Sequence, residues 1–165
     1  MLTLSGQAWA GSCDQRDLPA EVQRFLIKFV PTWTILRVDQ LRPDDQIIWK
    51  RMHRGECPGI AVGNFNGMGQ SYALNLVETS QGKLFQQLLV LLPDARKSDR
   101  FVLLAPMEVR AFSVATRMPP GRYENIEDGR YIVAKYDSVA MSVLESGTIQ
   151  YYWNGTSFRN ITTSE

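Results

Sequence analysis

Val22, Phe25, Leu26 and Phe29 recur at the i, i+3, i+4, i+7 spacing that gathers apolar side chains on one side of a helix. Pro19 suits a first helical turn and Pro31 cannot continue one, so the pattern predicts a helix over Pro19–Phe29. The aromatic and β-branched run Trp33–Val38 predicts a first strand. Pro43, Asp44 and Asp45 then open a second helix, with acidic groups at its positive end and Lys50, Arg51 and Arg54 toward its negative end. Gly55 offers its stop, and Ile48 and Met52 share a face with Trp49 beside them.

From Cys57 onward the period shortens to that of strands broken by turn residues. The expected strands are Ile60–Phe65, Tyr72–Glu78, Lys83–Leu92, Phe101–Leu104, Val109–Val114, Arg130–Tyr136, Val139–Glu145, Thr148–Trp153 and Ser157–Ile161. Asn66-Gly67, Ser80-Gln81-Gly82, Ser146-Gly147 and Asn154-Gly155 are the turns between them. A two-residue Asn154-Gly155 turn would face Trp153 with Thr156 and Tyr151 with Phe158, placing Tyr151, Trp153 and Phe158 on one core-directed face. Pro93–Arg100 and Met118–Gly129, polar and rich in breakers, read as loops. The expected fold is α+β: two N-terminal helices packed on a mainly antiparallel, meandering β-sheet, as a single domain over residues 13–165. No repeat is visible, and 165 residues cannot close a propeller of four-stranded blades.

Composition narrows the function classes. The chain has 18 Lys+Arg against 17 Asp+Glu, a formal charge of +1, and no long basic block, which argues against nucleic acid as a partner. No apolar run is long enough to span a membrane as a helix. One histidine and two cysteines cannot build a zinc site from soft ligands alone, and no cofactor-binding motif is present, so neither metal nor cofactor is expected. Residues 1–12 read as the remnant of an export signal or a disordered tail, because Ala8-Trp9-Ala10 has the small-x-small pattern of a signal-peptidase site. A periplasmic or secreted protein with an even thiol count is expected to join Cys13 to Cys57.

Gly63-Asn64-Phe65-Asn66-Gly67-Met68-Gly69, followed by Tyr72-Ala73-Leu74, is the most distinctive stretch. It resembles the calcium loop of FG-GAP and VCBS-type repeats, in which alternating oxygen side chains surround a glycine-rich turn ahead of a strand. This copy carries Asn64 in place of a carboxylate, and Met68 offers no oxygen, so a structural hairpin without calcium is expected. The wider resemblance, over about residues 18–162, is to small exported bacterial proteins with one degenerate motif of this kind. It implies export and a β-rich body, and no activity.

No catalytic set assembles in the sequence. His53 stands four residues before Cys57, but a cysteine in a disulfide cannot attack. Asp44 and Asp45 are adjacent and so point differently on a helix, whereas Glu56, Glu108, Glu124, Glu127, Asp128 and Asp137 supply carboxylates for a glycosidase-type pair, with no spacing that joins two of them. Arg117, Arg122, Tyr123 and Glu124, around Pro119-Pro120-Gly121, are of types enriched at protein interfaces and form the candidate binding site. The expected function is that of a non-enzymatic binding protein with a protein partner, such as an envelope inhibitor or an immunity factor against an envelope-acting toxin. The alternatives are an envelope glycan hydrolase and a carbohydrate-binding module using Trp33, Trp49, Tyr123 or Tyr152 as a stacking platform.

Overall fold

The computed structural model describes residues 13–93, 101–144 and 146–163. The expected export remnant 1–12, residues 94–100 of the expected loop and Glu145 at the end of an expected strand lie outside the described residues. Two helices and mainly antiparallel strands make an α+β fold. Helix α1 spans Ala20–Phe29, one residue short of the predicted start because Pro19 caps it. Helix α2 spans Pro43–Met52, with Pro43 in its first turn and Lys50 and Arg51 in its last. It stops before Gly55: the His53 N–H closes on the Trp49 carbonyl at 2.7 Å. Its buried side is Asp45 and Trp49, whereas Met52 is 68% exposed, so the inward face is one position round from the Ile48–Met52 face.

The strands divide among three sheets where one meander was expected. The first has six strands: β1 (Thr34–Ile35), β2 (Ile60–Gly63), β3 (Ser71–Ser80), β4 (Lys83–Leu91), β5 (Phe101–Leu103) and β6 (Met107–Val109). The second joins β7 (Val114–Met118), β10 (Ser138–Val143), β11 (Gly147–Trp153) and β12 (Phe158–Thr163). The third is a ribbon of β8 (Gly121–Asn125) and β9 (Arg130–Ala134). β3 and β4 form the long central hairpin, turned by Gln81 and Gly82 with φ of 51° and 75°. Both residues are left-handed, as a two-residue turn matched to strand twist requires.

Three expected elements differ, each for a local reason. The strand expected at Trp33–Val38 shrinks to Thr34–Ile35, because Gln40 Oε1 accepts the Arg37 N–H at 2.8 Å and coils Val38–Gln40 into a single turn. The strand expected at Val109–Val114 is a crossing between sheets: Val109 pairs with Leu84 and Val114 with Ser142. Between them the Ser113 N–H finds the side chain of Gln86 at 3.0 Å instead of a strand neighbour. The expected loop Met118–Gly129 contains β8, half of a regular hairpin.

The core follows from alternation. Leu18, Val22, Leu26 and Val30 share one buried cluster with Leu74, Leu76, Leu89 and Leu91. Trp49 shares another with Leu36, Val77, Phe112 and Val114. Phe65, Ala73, Val90, Val139 and Met141 belong to a third, with Trp153 and Phe158 packed against it. The expected disulfide is present: Cys13 is bonded to Cys57 across 44 positions, with Cα atoms 5.2 Å apart. No helix among the described residues is long and apolar enough to cross a membrane.

Candidate functional site

The ribbon β8–β9 carries three of the four candidate binding residues, and strand alternation separates them by face. Arg122 opposes Val133 and Glu124 opposes Tyr131, so these four side chains share one face. There the Arg122 guanidinium lies 4.0 Å from the centroid of the Tyr131 ring, and the Tyr131 hydroxyl donates to Glu124 Oε2 at 3.3 Å. Tyr131 is 54% exposed and Val133 73%, and Ile126 in the adjoining turn is 54% exposed. Tyr131 and Val133 are members of this face that sequence reasoning missed. Their signal was the alternation Arg130-Tyr131-Ile132-Val133, which reads as an ordinary strand until its partner is known.

Tyr123 points the other way. Its hydroxyl donates to the Pro119 carbonyl, and partial burial together with the nearby negative charge of Asp137 raises its pKa above the usual phenol value. Arg117, on β7, is also drawn toward Asp137, with Nη1 3.5 Å from Oδ2. Arg117 and Tyr123 thus flank one carboxylate, while Arg122 and Glu124 occupy the outer face of the ribbon. The turn after β8 is tied to β12: the Ile126 N–H donates to the Thr162 carbonyl at 2.9 Å, and the Thr162 hydroxyl to Glu127 Oε1 at 2.6 Å.

Asp137 also organises the glycine-rich loop. Its Oδ2 accepts the Asn64 N–H at 2.8 Å, and its own N–H donates to the Asn64 carbonyl at 3.2 Å. Inside the loop, Asn64 Oδ1 accepts from the Gly69 N–H at 3.2 Å and Asn66 Oδ1 from the Met68 N–H at 3.1 Å. The side-chain amide oxygens of Asn64 and Asn66 are thus bonded to the loop's own backbone. Gly67 sits at φ 84° against Tyr136, where an added Cβ would come 2.4 Å from the ring, so only glycine fits.

The remaining chemical candidates are occupied separately. The Cys57 sulfur is bonded to Cys13, which removes it as a nucleophile. His53 Nδ1 meets Glu56 Oε2 at 2.9 Å, and its ring stacks 4.0 Å from that of Trp49. Trp49 is 1% exposed, with Nε1 donating to the Glu56 carbonyl at 3.0 Å, and so is no stacking platform. Of the carboxylates, Asp45 accepts both arms of Arg42, Glu108 meets Lys83, and Asp128 meets Arg130. Tyr152 and Trp33 are half-buried.

Comparison with protein-family models, curated proteins and solved structures finds no match to this chain.

Proposed function

We propose that the chain is an exported, non-enzymatic bacterial protein that binds another protein, in the manner of an envelope inhibitor or an immunity factor against an envelope-acting toxin. The observation that carries this reading is the outer face of the β8–β9 ribbon. Arg122, Glu124 and Tyr131 hold one another in a fixed arrangement there, beside exposed Val133 and Ile126. Arg and Tyr dominate interface hot spots, and side chains already ordered lose less entropy on binding. The ribbon presents these groups exposed on its outer strand face, where a protein surface can reach them together. The Cys13–Cys57 disulfide supports an oxidising compartment, the periplasm or the medium. In the same reading both helices pack on the strands and hold the scaffold rigid while the ribbon makes contact.

The glycan-hydrolase alternative is weakened because Glu56, Glu108, Glu124, Glu127, Asp128 and Asp137 each meet a different side chain: His53, Lys83, Tyr131, Thr162, Arg130 and Arg117. The carbohydrate-binding alternative loses Trp49 to burial.

The test is affinity for the partner recovered with the protein from its native envelope. Arg122→Ala and Tyr131→Ala are each expected to weaken binding by about tenfold, the factor corresponding to 1.4 kcal/mol. Both side chains are exposed, so the melting temperature should stay nearly unchanged. Tyr123→Phe should bind as the parent does, because its hydroxyl is spent on Pro119. Parent-like affinity in both alanine variants would remove the ribbon from the interface.

A further inference from the structure

The turn between β11 and β12 brings an asparagine amide, a glycine main-chain nitrogen and water together. Asn154, Gly155 and Thr156 are all exposed. Asn154 Oδ1 accepts from the Thr156 N–H at 3.0 Å, from the Thr156 hydroxyl at 3.0 Å and from the Ser157 N–H at 2.9 Å. The Asn154 N–H donates to the Ser157 carbonyl at 3.1 Å, which closes the turn. Among the described residues, none accepts from the Asn154 side-chain amine or from the Gly155 N–H. Gly155 has a φ of 107°, and a Cβ placed on it would meet no atom within 4 Å, so the peptide between the two residues has open space beside it.

A nitrogen one residue along the chain from an amide carbon is already at high effective concentration. Gly155 carries no side chain to obstruct its approach to Asn154 Cγ. Negative charge that develops on Oδ1 as the new bond forms meets three donors already aimed at it, the arrangement that stabilises an oxyanion. We propose that Asn154-Gly155 is a self-modification site, where the fold favours conversion of the asparagine amide to an acid. The Gly155 nitrogen gives its proton to water or hydroxide and bonds to Cγ; the Cγ–Nδ2 bond breaks, and Nδ2 takes up a proton and leaves as ammonia. Water then opens the five-membered imide at either carbonyl, giving aspartate or the isomer whose main chain runs through Cγ. No electrons change hands, and water is the only co-reactant. Either product adds a negative charge to the turn, and the isomer lengthens the main chain between Trp153 and Phe158, whose rings meet there.

The second Asn-Gly pair, Asn66-Gly67, has the same chemistry in a different setting. A Cβ on Gly67 would lie 2.4 Å from the Tyr136 ring, Asn66 is half-buried, and the loop is tied to Asp137 through the Asn64 N–H. That peptide has no room to turn toward its amide. The proposal does not depend on the protein-binding reading.

Incubation of the folded protein in mildly alkaline buffer, followed by peptide mapping with mass spectrometry, tests the assignment. The peptide containing Asn154 should gain the mass of an acid in place of an amide and resolve into aspartyl and isoaspartyl forms. It should convert at least about tenfold faster than the peptide containing Asn66, a factor equivalent to about 1.4 kcal/mol in the barrier. In guanidinium chloride, where the fold no longer distinguishes the two pairs, their rates should come together. Asn154→Gln, whose longer side chain would have to close a six-membered ring, should leave residue 154 unmodified over the same period. An unconverted Asn154, a product without the isoaspartyl form, or conversion of Asn66 as fast as that of Asn154 in the folded protein would each overturn the proposal. So would a preference for Asn154 that persists undiminished in the denaturant.

Discussion

Replacing Cys13 by Ser is expected to cost the protein about 4 kcal/mol, since the bridge closes a 44-residue loop and chain-entropy scaling assigns about that much to such a cross-link. The loss comes mainly from the unfolded chain, which regains the freedom the bridge denied it. The native side adds to it, because Cys13 packs against the cluster containing Leu18, Val22 and Cys57. For a chain of this size the melting temperature should fall by roughly 10 °C. Chemical denaturation of parent and variant, with the parent measured both oxidised and reduced, checks the value. Reduced parent should behave like the variant. A difference below about 1 kcal/mol between oxidised and reduced parent would mean that the bridge constrains little.

Trp49→Ala is expected to have a comparable effect, about 3–5 kcal/mol, the range for removing a large aromatic from a core. Trp49 has 1% of its surface exposed and shares its cluster with Val77 of β3 and Val114 of β7, so the void would open between α2 and two different sheets. The Glu56 carbonyl would lose its indole donor and His53 the ring it stacks on. Trp49→Phe separates these contributions: it keeps an aromatic body and forfeits the hydrogen bond, for an expected cost nearer 1–2 kcal/mol. Thermal and urea unfolding of the three proteins would measure the order parent, Phe, Ala. Equal stability of parent and Trp49→Ala would show that α2 is not held by this contact.

Much of the architecture was legible because it rests on short-range pattern. Helix α1 was readable from Val22, Phe25, Leu26 and Phe29, whose spacing admits one period, and prolines bound it on both sides. The β3–β4 hairpin was readable from Gln81-Gly82 between apolar runs. The last hairpin shows where such reading stops. Trp153 pairs with Phe158, not Thr156, because Asn154 Oδ1 accepts the N–H groups of Thr156 and Ser157 and stabilises a four-residue turn. The shift is by two residues, so the expected faces survive it, and Trp153 meets Phe158 edge-on at 5.2 Å.

The ribbon was hidden for the reason that makes it a candidate site. Arg122-Tyr123-Glu124-Asn125 alternates as a strand does, but its outer positions are charged and its inner ones are only partly covered, so no apolar stripe announces it. Its partner strand supplies Tyr131 and Val133, and which residues they face depends on a register that sequence spacing alone does not specify. The crossing at residues 110–113 was equally hidden, since the side chain of Gln86 replaces a strand neighbour there through a contact 27 positions away.

The central claim is that the outer face of β8–β9 is where a protein partner sits, and site-specific photo-crosslinking in the envelope tests it most directly. A photoreactive phenylalanine analogue at Val133, 73% exposed on that face, should give one adduct of discrete mass. Excess unmodified protein should suppress that adduct, as should Arg122→Ala in the same chain. The same group at Ile27 of α1, 68% exposed and off the ribbon, should give none. An absent adduct at Val133, or equal adducts at both positions unaffected by competitor, would contradict the account.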